Sequence, residues 1–242
     1  MEERSGLPRG VRQAWGRDAT PGRPGPKAML SIPGIAASAT ALADAEGAAA
    51  LSLGRIAERL GVTPNALYRY VDSRDDLDVI VHDHALGAPT GIRAGEDWGD
   101  AAAAWCRALR DRYVRHPWLS DMRVRVPFAP NSLAWLENLL DRLEPSGLGE
   151  RRALQAAGVL DGYVRSRAAA VRDLVRPGGT TDPGALVELV GADQLAARLP
   201  RVASLISSGL YREPQALADE DFEFGLASIL TGLRQLADRP GH

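Results

Sequence analysis

The segment Ile56-Ala57-Glu58-Arg59-Leu60-Gly61-Val62-Thr63-Pro64-Asn65-Ala66-Leu67-Tyr68-Arg69-Tyr70-Val71, followed by Ser73-Arg74-Asp75-Asp76-Leu77, decides how this chain folds. Leu53, Ile56, Ala57 and Leu60 recur at three- and four-residue spacing, the signature of one apolar helix face, and Ser52 is placed to cap that helix. Gly61 can take positive φ without steric cost, so a sharp turn follows. Thr63 caps and Pro64 starts the next helix, where a missing N–H costs nothing. Its Leu67 and Val71 face inward, which leaves Asn65, Ala66, Tyr68, Arg69 and Tyr70 on the other faces. Ser73 with Asp76 makes a capping box for a further helix that turns Leu77, Ile80, Val81 and Ala85 inward. Two helices joined by Gly61, Val62 and Thr63 match the helix-turn-helix plan, although other helical hairpins share that spacing.

Outward from this segment the pattern stays helical. Ser31 caps an upstream helix that tolerates Pro33 in its first turn, with Ile32, Ile35, Ala39, Leu42 and Ala43 on one face and Gly47 at its end. Gly87 and Pro89 stop the helix that follows Ser73. Beyond residue 90 the spacing predicts helices over about 98–115, 117–123, 131–144, 150–174, 185–208 with a break near Pro200, and 219–238. No period-two strand signal stands out, so the expected class is all-α. The expected domains are a basic arm at 1–29, a helix-turn-helix unit at 30–87 and a larger helical domain at 88–242. The arm mixes Gly, Pro and Arg without apolar periodicity, and such a composition reads as disordered when free.

The chain has 242 residues, 45% of them hydrophobic and 25% charged, which are ordinary globular values. No apolar run is long enough to cross a bilayer, and the first residues offer no secretory leader. The single cysteine, Cys106, reads as a small buried side chain in a reducing cytoplasm and provides no cysteine metal cage. A net charge of −2 excludes a uniformly basic nucleic-acid binder, so any such function must be local. Residues 1–29 carry six basic against three acidic groups, net +3, whereas residues 30–87 carry four arginines against eight carboxylates, net −4.

The quoted segment, together with Ala41-Leu42-Ala43-Asp44-Ala45-Glu46-Gly47, resembles the N-terminal signature of the TetR family of transcriptional regulators. That resemblance implies a homodimer that places the helix from Pro64 in the major groove of double-stranded operator DNA. Ser52, Thr63, Pro64, Asn65, Ala66, Arg69 and Tyr70 would then be DNA-contacting residues. Tyr68 would reach a phosphate, and Arg74, where the family usually has a lysine, would clamp the backbone. A phenol hydroxyl, a guanidinium and free helical N–H groups all suit phosphate oxygens or base edges, while core packing remains open for Tyr68 and Tyr70. Gly54 departs from the family, many of whose members carry a DNA-contacting polar residue there. Gly22-Arg23-Pro24 resembles the centre of an AT-hook, so Arg23 is a candidate for the minor groove, with an inert leader equally open.

The resemblance continues more weakly through His116-Pro117-Trp118-Leu119, Pro130-Asn131-Ser132-Leu133 and Gly162-Tyr163-Val164-Arg165, similar to regulators with a tetracycline-repressor-like C-terminal region. It implies a small-molecule effector. Trp105, His116, Trp118, Met122, Trp135, Leu139 and Tyr163 are candidate ligand contacts, with plain core packing the competing reading for each. Leu154 and Leu160, with Phe222, Leu226, Ile229 and Leu233, form stripes that by the same resemblance meet a second subunit in a four-helix bundle. No nucleophile elbow, zinc-protease helix, phosphate loop or dinucleotide fingerprint occurs, so neither an enzyme nor a cofactor is expected. Asp78 and His82 are spaced to share a metal, but a solvated surface pair is the plainer reading. The alternative is an interaction protein of the same fold that has lost specific DNA reading, a view encouraged by Gly54 and the acidic 30–87 unit.

Overall fold

Every regular element among the described residues is helical in the computed structural model, which describes residues 7–17, 30–122, 128–175, 183–209 and 216–238. The first element corrects an expectation. Within the arm read as disordered, residues Arg9–Ala14 form a helix, α1, that buries Gly10, Val11 and Gln13 against the rest of the chain. One apolar side chain and a set of long-range hydrogen bonds hold it, and a composition argument cannot see those. Arg23 lies outside the described residues.

The helix-turn-helix unit follows the local signals closely, except that the Thr63 side chain makes no capping hydrogen bond ahead of Pro64. The Ser31 hydroxyl accepts from Gly34 N–H at 3.2 Å and opens α2, Ile32–Glu46. Ser52 does the same for Arg55 N–H at 3.3 Å and opens α3, Leu53–Leu60, which ends at Gly61 with φ +67°. Then α4, Pro64–Leu67, is shorter than the expected run to Tyr70, because Tyr70 N–H turns back to the Leu67 carbonyl at 2.8 Å. Ser73 accepts from Asp76 N–H at 3.1 Å and launches α5, Arg74–Leu86. Ile35, Ile56, Leu67, Val71, Leu77 and Val81 are buried where these helices meet.

The larger domain is built on α6, Trp98–Arg115, α7, Pro130–Leu143, and α8, Glu150–Val175. A 3₁₀ segment, Pro117–Asp121, stands where the sequence suggests a helix over 117–123. The expected helix at 185–208 is three short ones, α9 Pro183–Val190, α10 Ala192–Arg198 and α11 Pro200–Ser207, broken at Gly191 (φ +86°) as well as before Pro200. The last element, α12 Ala216–Ala237, packs on α6 and α8. One continuous core runs from Ile35 and Leu77 through Leu86 into Trp105, Leu139 and Leu226. Because α5 lies inside that core, it belongs to both halves of the molecule.

Candidate nucleic-acid interface and effector cavity

The caps at Ser52 and Gly61 fix where α3 stops and α4 begins, and the burial of Leu67 fixes how α4 is rolled. Thr63, Pro64, Asn65, Tyr68 and Arg69 are consequently exposed together, with Tyr68 53% accessible, while Ala66 is half-buried between them. Ser52 is exposed at the start of α3, and a side chain built at Gly54 would meet open space. Two sequence candidates are also held by the chain itself. Tyr70 is half-buried and packs on the core. Arg74 donates to the Leu51 carbonyl, to the Ala48 carbonyl at 3.3 Å and to Asp78 at 2.7 Å. Its guanidinium therefore fastens α5 to the turn before α3 through three of its five N–H groups.

Pairing offsets only one charge of the acidic surplus of this unit, through Arg9 from outside it, and occupies two of its own four arginines. Asp72 pairs with Arg9 of α1, Asp78 with Arg74, and Glu46 with Arg55 at 2.7 Å. Asp76 and Asp83 are buried. Asp44, on α2, accepts from the Trp118 indole N–H at 2.7 Å and meets His116 Nδ1 at 2.7 Å. His116 and Trp118 thus join the two halves of the molecule and are corrected from ligand contacts to a structural joint.

A second joint escaped sequence reading. Asp83, on α5, accepts from the N–H groups of Asn131 at 2.9 Å and Ser132 at 3.2 Å, and from the Asn131 amide at 3.1 Å. The N-cap position of α7 is Ala129, which has no side-chain acceptor, so a carboxylate from α5 caps the helix in its place. Burial pushes the Asp83 carboxyl above its ordinary value, and the hydrogen bonds from Ser132 and Asn131 pull the other way. The absence of an oxygen at residue 129 ahead of Pro130 is the one signal that could have pointed to such a partner.

Between α5, α6, α7 and α8 lies a cavity of about 320 Å³, within the range of small-molecule sites. Of the seven ligand candidates it is lined by Trp105, Trp135 and Leu139. Met122 is buried outside it, and Tyr163 stacks on Phe222 with its hydroxyl donating to the Phe222 carbonyl at 2.8 Å. The cavity also takes in His82, Asp161 and Arg165, none of which the sequence singled out as ligand contacts. His82, expected on a solvated surface, is only 4% accessible. Burial, and to a lesser degree Arg165, hold its imidazole down to about 4, so it is neutral. Cys106 is buried in the core, which pushes its thiol up to about 12. Among the described residues no cluster of side chains is arranged to hold a metal ion.

The helix stripes read as a subunit interface are mostly internal. Leu160, Phe222, Leu226 and Leu233 are buried within the chain, Ile229 is half-buried on the same core, and only Leu154 is exposed. The exposed faces are Gln155, Val159, Gly162 and Ser166 on α8, and Phe224, Ala227, Ser228, Thr231 and Gln235 on α12. A helix packed on its own subunit turns its most apolar face there, and the outer face here is built of small side chains around Phe224, which is 77% accessible.

Residues 35–77 match the family model described as bacterial regulatory proteins, tetR family, and residues 92–237 match that of the tetracyclin repressor-like C-terminal domain. The chain belongs to the TetR family. It is 30% identical to the HTH-type transcriptional repressor DrrR1 of Streptomyces coeruleorubidus, over 97% of this chain and 88% of that protein. Apo ActR from Streptomyces coelicolor is similar in structure, with a TM-score of 0.70 and 29% identity over 86% of this chain and 96% of that one. ActR in complex with actinorhodin is similar too, with a TM-score of 0.69 and 27% identity over 84% and 95% of the two chains. TetR-family regulators bind operator DNA and small-molecule effectors and act as dimers. This TetR-family chain is accordingly a DNA-binding transcriptional regulator, and no helix among its described residues is long and apolar enough to cross a membrane.

Proposed function

We propose that the chain is a cytoplasmic repressor that grips a palindromic operator as a twofold dimer and releases it when a small molecule fills the cavity between α5 and α8. The observation that carries this reading is the position of α5. Its N-terminal turn is fastened through Arg74 to the turn that leads into α3, hence to the reading head formed by α3 and α4, and its C-terminal half supplies His82 and Leu86 to the cavity wall and Asp83 to the cap of α7. A ligand that favours a different seating of α5 changes the spacing of the paired α4 helices, and its differential affinity for the two arrangements sets the loss of DNA affinity. Thr63, Asn65, Tyr68 and Arg69 form the base- and phosphate-facing set, with Ser52 beside them on α3. The exposed faces of α8 and α12 meet their counterparts in the second subunit. That ActR is found with actinorhodin and with (S)-DNPA supports a small-molecule effector for this chain as well.

Arg69, exposed on the turn after α4 beside Asn65 and Tyr68, is a cation with its guanidinium on the face proposed for DNA, which favours this reading over a fold that has abandoned DNA. Selection of bound duplexes from a random pool tests the proposal. Recovery of an inverted repeat with half-sites related by about one helical turn supports it. Recovery of no common sequence sinks it.

A further inference from the structure

We propose that the effector is an uncharged fused aromatic molecule bearing a phenolic hydroxyl, which His82, Asp161 and Arg165 recognise together at one corner of the cavity. This rests on the reading of that cavity as the effector site. Its wall is largely apolar, and Trp105 and Trp135 meet edge to face within it at 5.5 Å. Both indole N–H groups are already committed, to the Trp135 carbonyl at 3.0 Å and the Gly87 carbonyl at 2.8 Å, so the tryptophans offer a ligand only ring surface. Rings suit that wall better than a flexible chain, since aromatic pairs gain from offset and edge-to-face contact.

The polar corner is specific in another way. Asp161 and Arg165 stand one turn apart on α8, 3.4 Å from each other. On the same cavity wall, within reach of the Arg165 charge, His82 is nine-tenths buried, and its Nε2 has no hydrogen-bond partner among the described residues. A buried polar atom without a partner is costly, and a ligand that satisfies it recovers that cost. Arg165 only donates, Asp161 only accepts, and neutral imidazole nitrogen can do either. The two charges cancel, so a ligand carboxylate would face Asp161 with no surplus positive charge to offset its desolvation, and an ammonium would face Arg165 in the same way. A hydroxyl meets the whole set, its hydrogen directed to Asp161 or His82 and its oxygen accepting from Arg165.

The test is a titration of the full chain with 2-naphthol, naphthalene and naphthalene-2-carboxylate, followed by tryptophan fluorescence. 2-Naphthol should bind at least about tenfold more tightly than naphthalene, the equivalent of one well-made buried hydrogen bond, and more tightly than the carboxylate. In His82→Leu and Arg165→Met that preference should collapse while naphthalene still binds, which separates loss of the corner from loss of the fold. Equal binding of naphthol and naphthalene, stronger binding of the carboxylate, or binding of none would overturn the proposal. If naphthol is preferred but, at saturation, leaves duplex affinity unchanged, the chemistry of the corner stands and the effector reading falls.

A separate set of contacts assigns α1, which precedes the matched family region, a positioning role for the reading head. Arg9 donates to the Arg69 carbonyl at 3.0 Å and Gln13 donates to the Tyr70 carbonyl, both at the exit from α4. Gly10 N–H donates to the Asp76 carboxylate at 2.6 Å, and a Cβ at residue 10 would lie 2.6 Å from the Asp76 carbonyl oxygen, so only glycine allows this approach. One turn on, the Trp15 indole donates to the carbonyl of Phe128, a residue on the cavity rim, at 2.8 Å. In Gly10→Ala and the milder Gln13→Ala, specific duplex affinity should fall about tenfold while non-specific affinity and its salt slope hold, because no charge is removed. Unchanged specific affinity in both variants overturns the role, as does an equal fall in specific and non-specific binding.

Discussion

Replacing Asp83 tests the junction on which coupling between the two halves depends. In Asp83→Ala, two N–H groups in the first turn of α7 lose their acceptor, and the Asn131 amide loses one as well. An N-cap is worth about 0.5–2 kcal/mol and a hydrogen bond to a charged group about 1.5–3 kcal/mol. Against this, the carboxylate no longer has to be desolvated, a cost that is visible in its upward-shifted pKa. The net expectation is a loss of about 3 kcal/mol, with Asp83→Asn losing about half as much because one amide oxygen can still accept. Urea unfolding reads this directly as a shift in midpoint at constant slope. A second readout is the effector's ability to lower duplex affinity, which should weaken in Asp83→Ala. A stability loss under about 0.5 kcal/mol, the range of an ordinary surface substitution, would refute the trans-capping argument.

Three further outcomes follow from particular residues. His82 is held down to about 4 in the folded chain while its ordinary value is 6.5, so the unfolded chain takes up a proton first as pH falls. Stability should be full above about pH 6.5 and drop by up to about 3 kcal/mol towards pH 4, with a flatter profile in His82→Gln; an identical profile in that variant would contradict it. Gly54→Arg fills open space on an exposed helix face, so it should raise stability by about 1 kcal/mol and steepen the salt dependence of duplex binding by about one phosphate per subunit. An unchanged slope would move Gly54 away from the DNA. Phe224→Glu places like charges across the proposed twofold and should yield monomers in sedimentation, whereas a persistent dimer would exclude this face as the interface.

The parts of this molecule that were legible in its sequence are those decided within a few residues. Ser52, Gly61, Ser73 and the Leu67 phase act locally, so the helix-turn-helix unit reads directly from them. The acceptors that hold α1 are carbonyls and a carboxylate roughly sixty residues away, and Gly and Arg content says nothing of them. Asp44 and Asp83 are invisible for the same reason, since their partners lie on other helices. The stripes on α8 and α12 misled because hydropathy ranks the face around Leu160 and Phe222 above one made of glycine, alanine, serine and threonine, yet the first is used inside the subunit. His82 was misread because α5 is covered on several sides, which erases the one-sided periodicity that normally marks a buried residue.

The most direct measurement is a hydroxyl-radical footprint of the full chain on its selected duplex. Two α4 helices carried by one twofold dimer should protect two symmetric patches on one face of the duplex, and both should vanish together in Asn65→Ala combined with Tyr68→Phe. A single asymmetric patch, or protection that survives that double variant, would contradict the account.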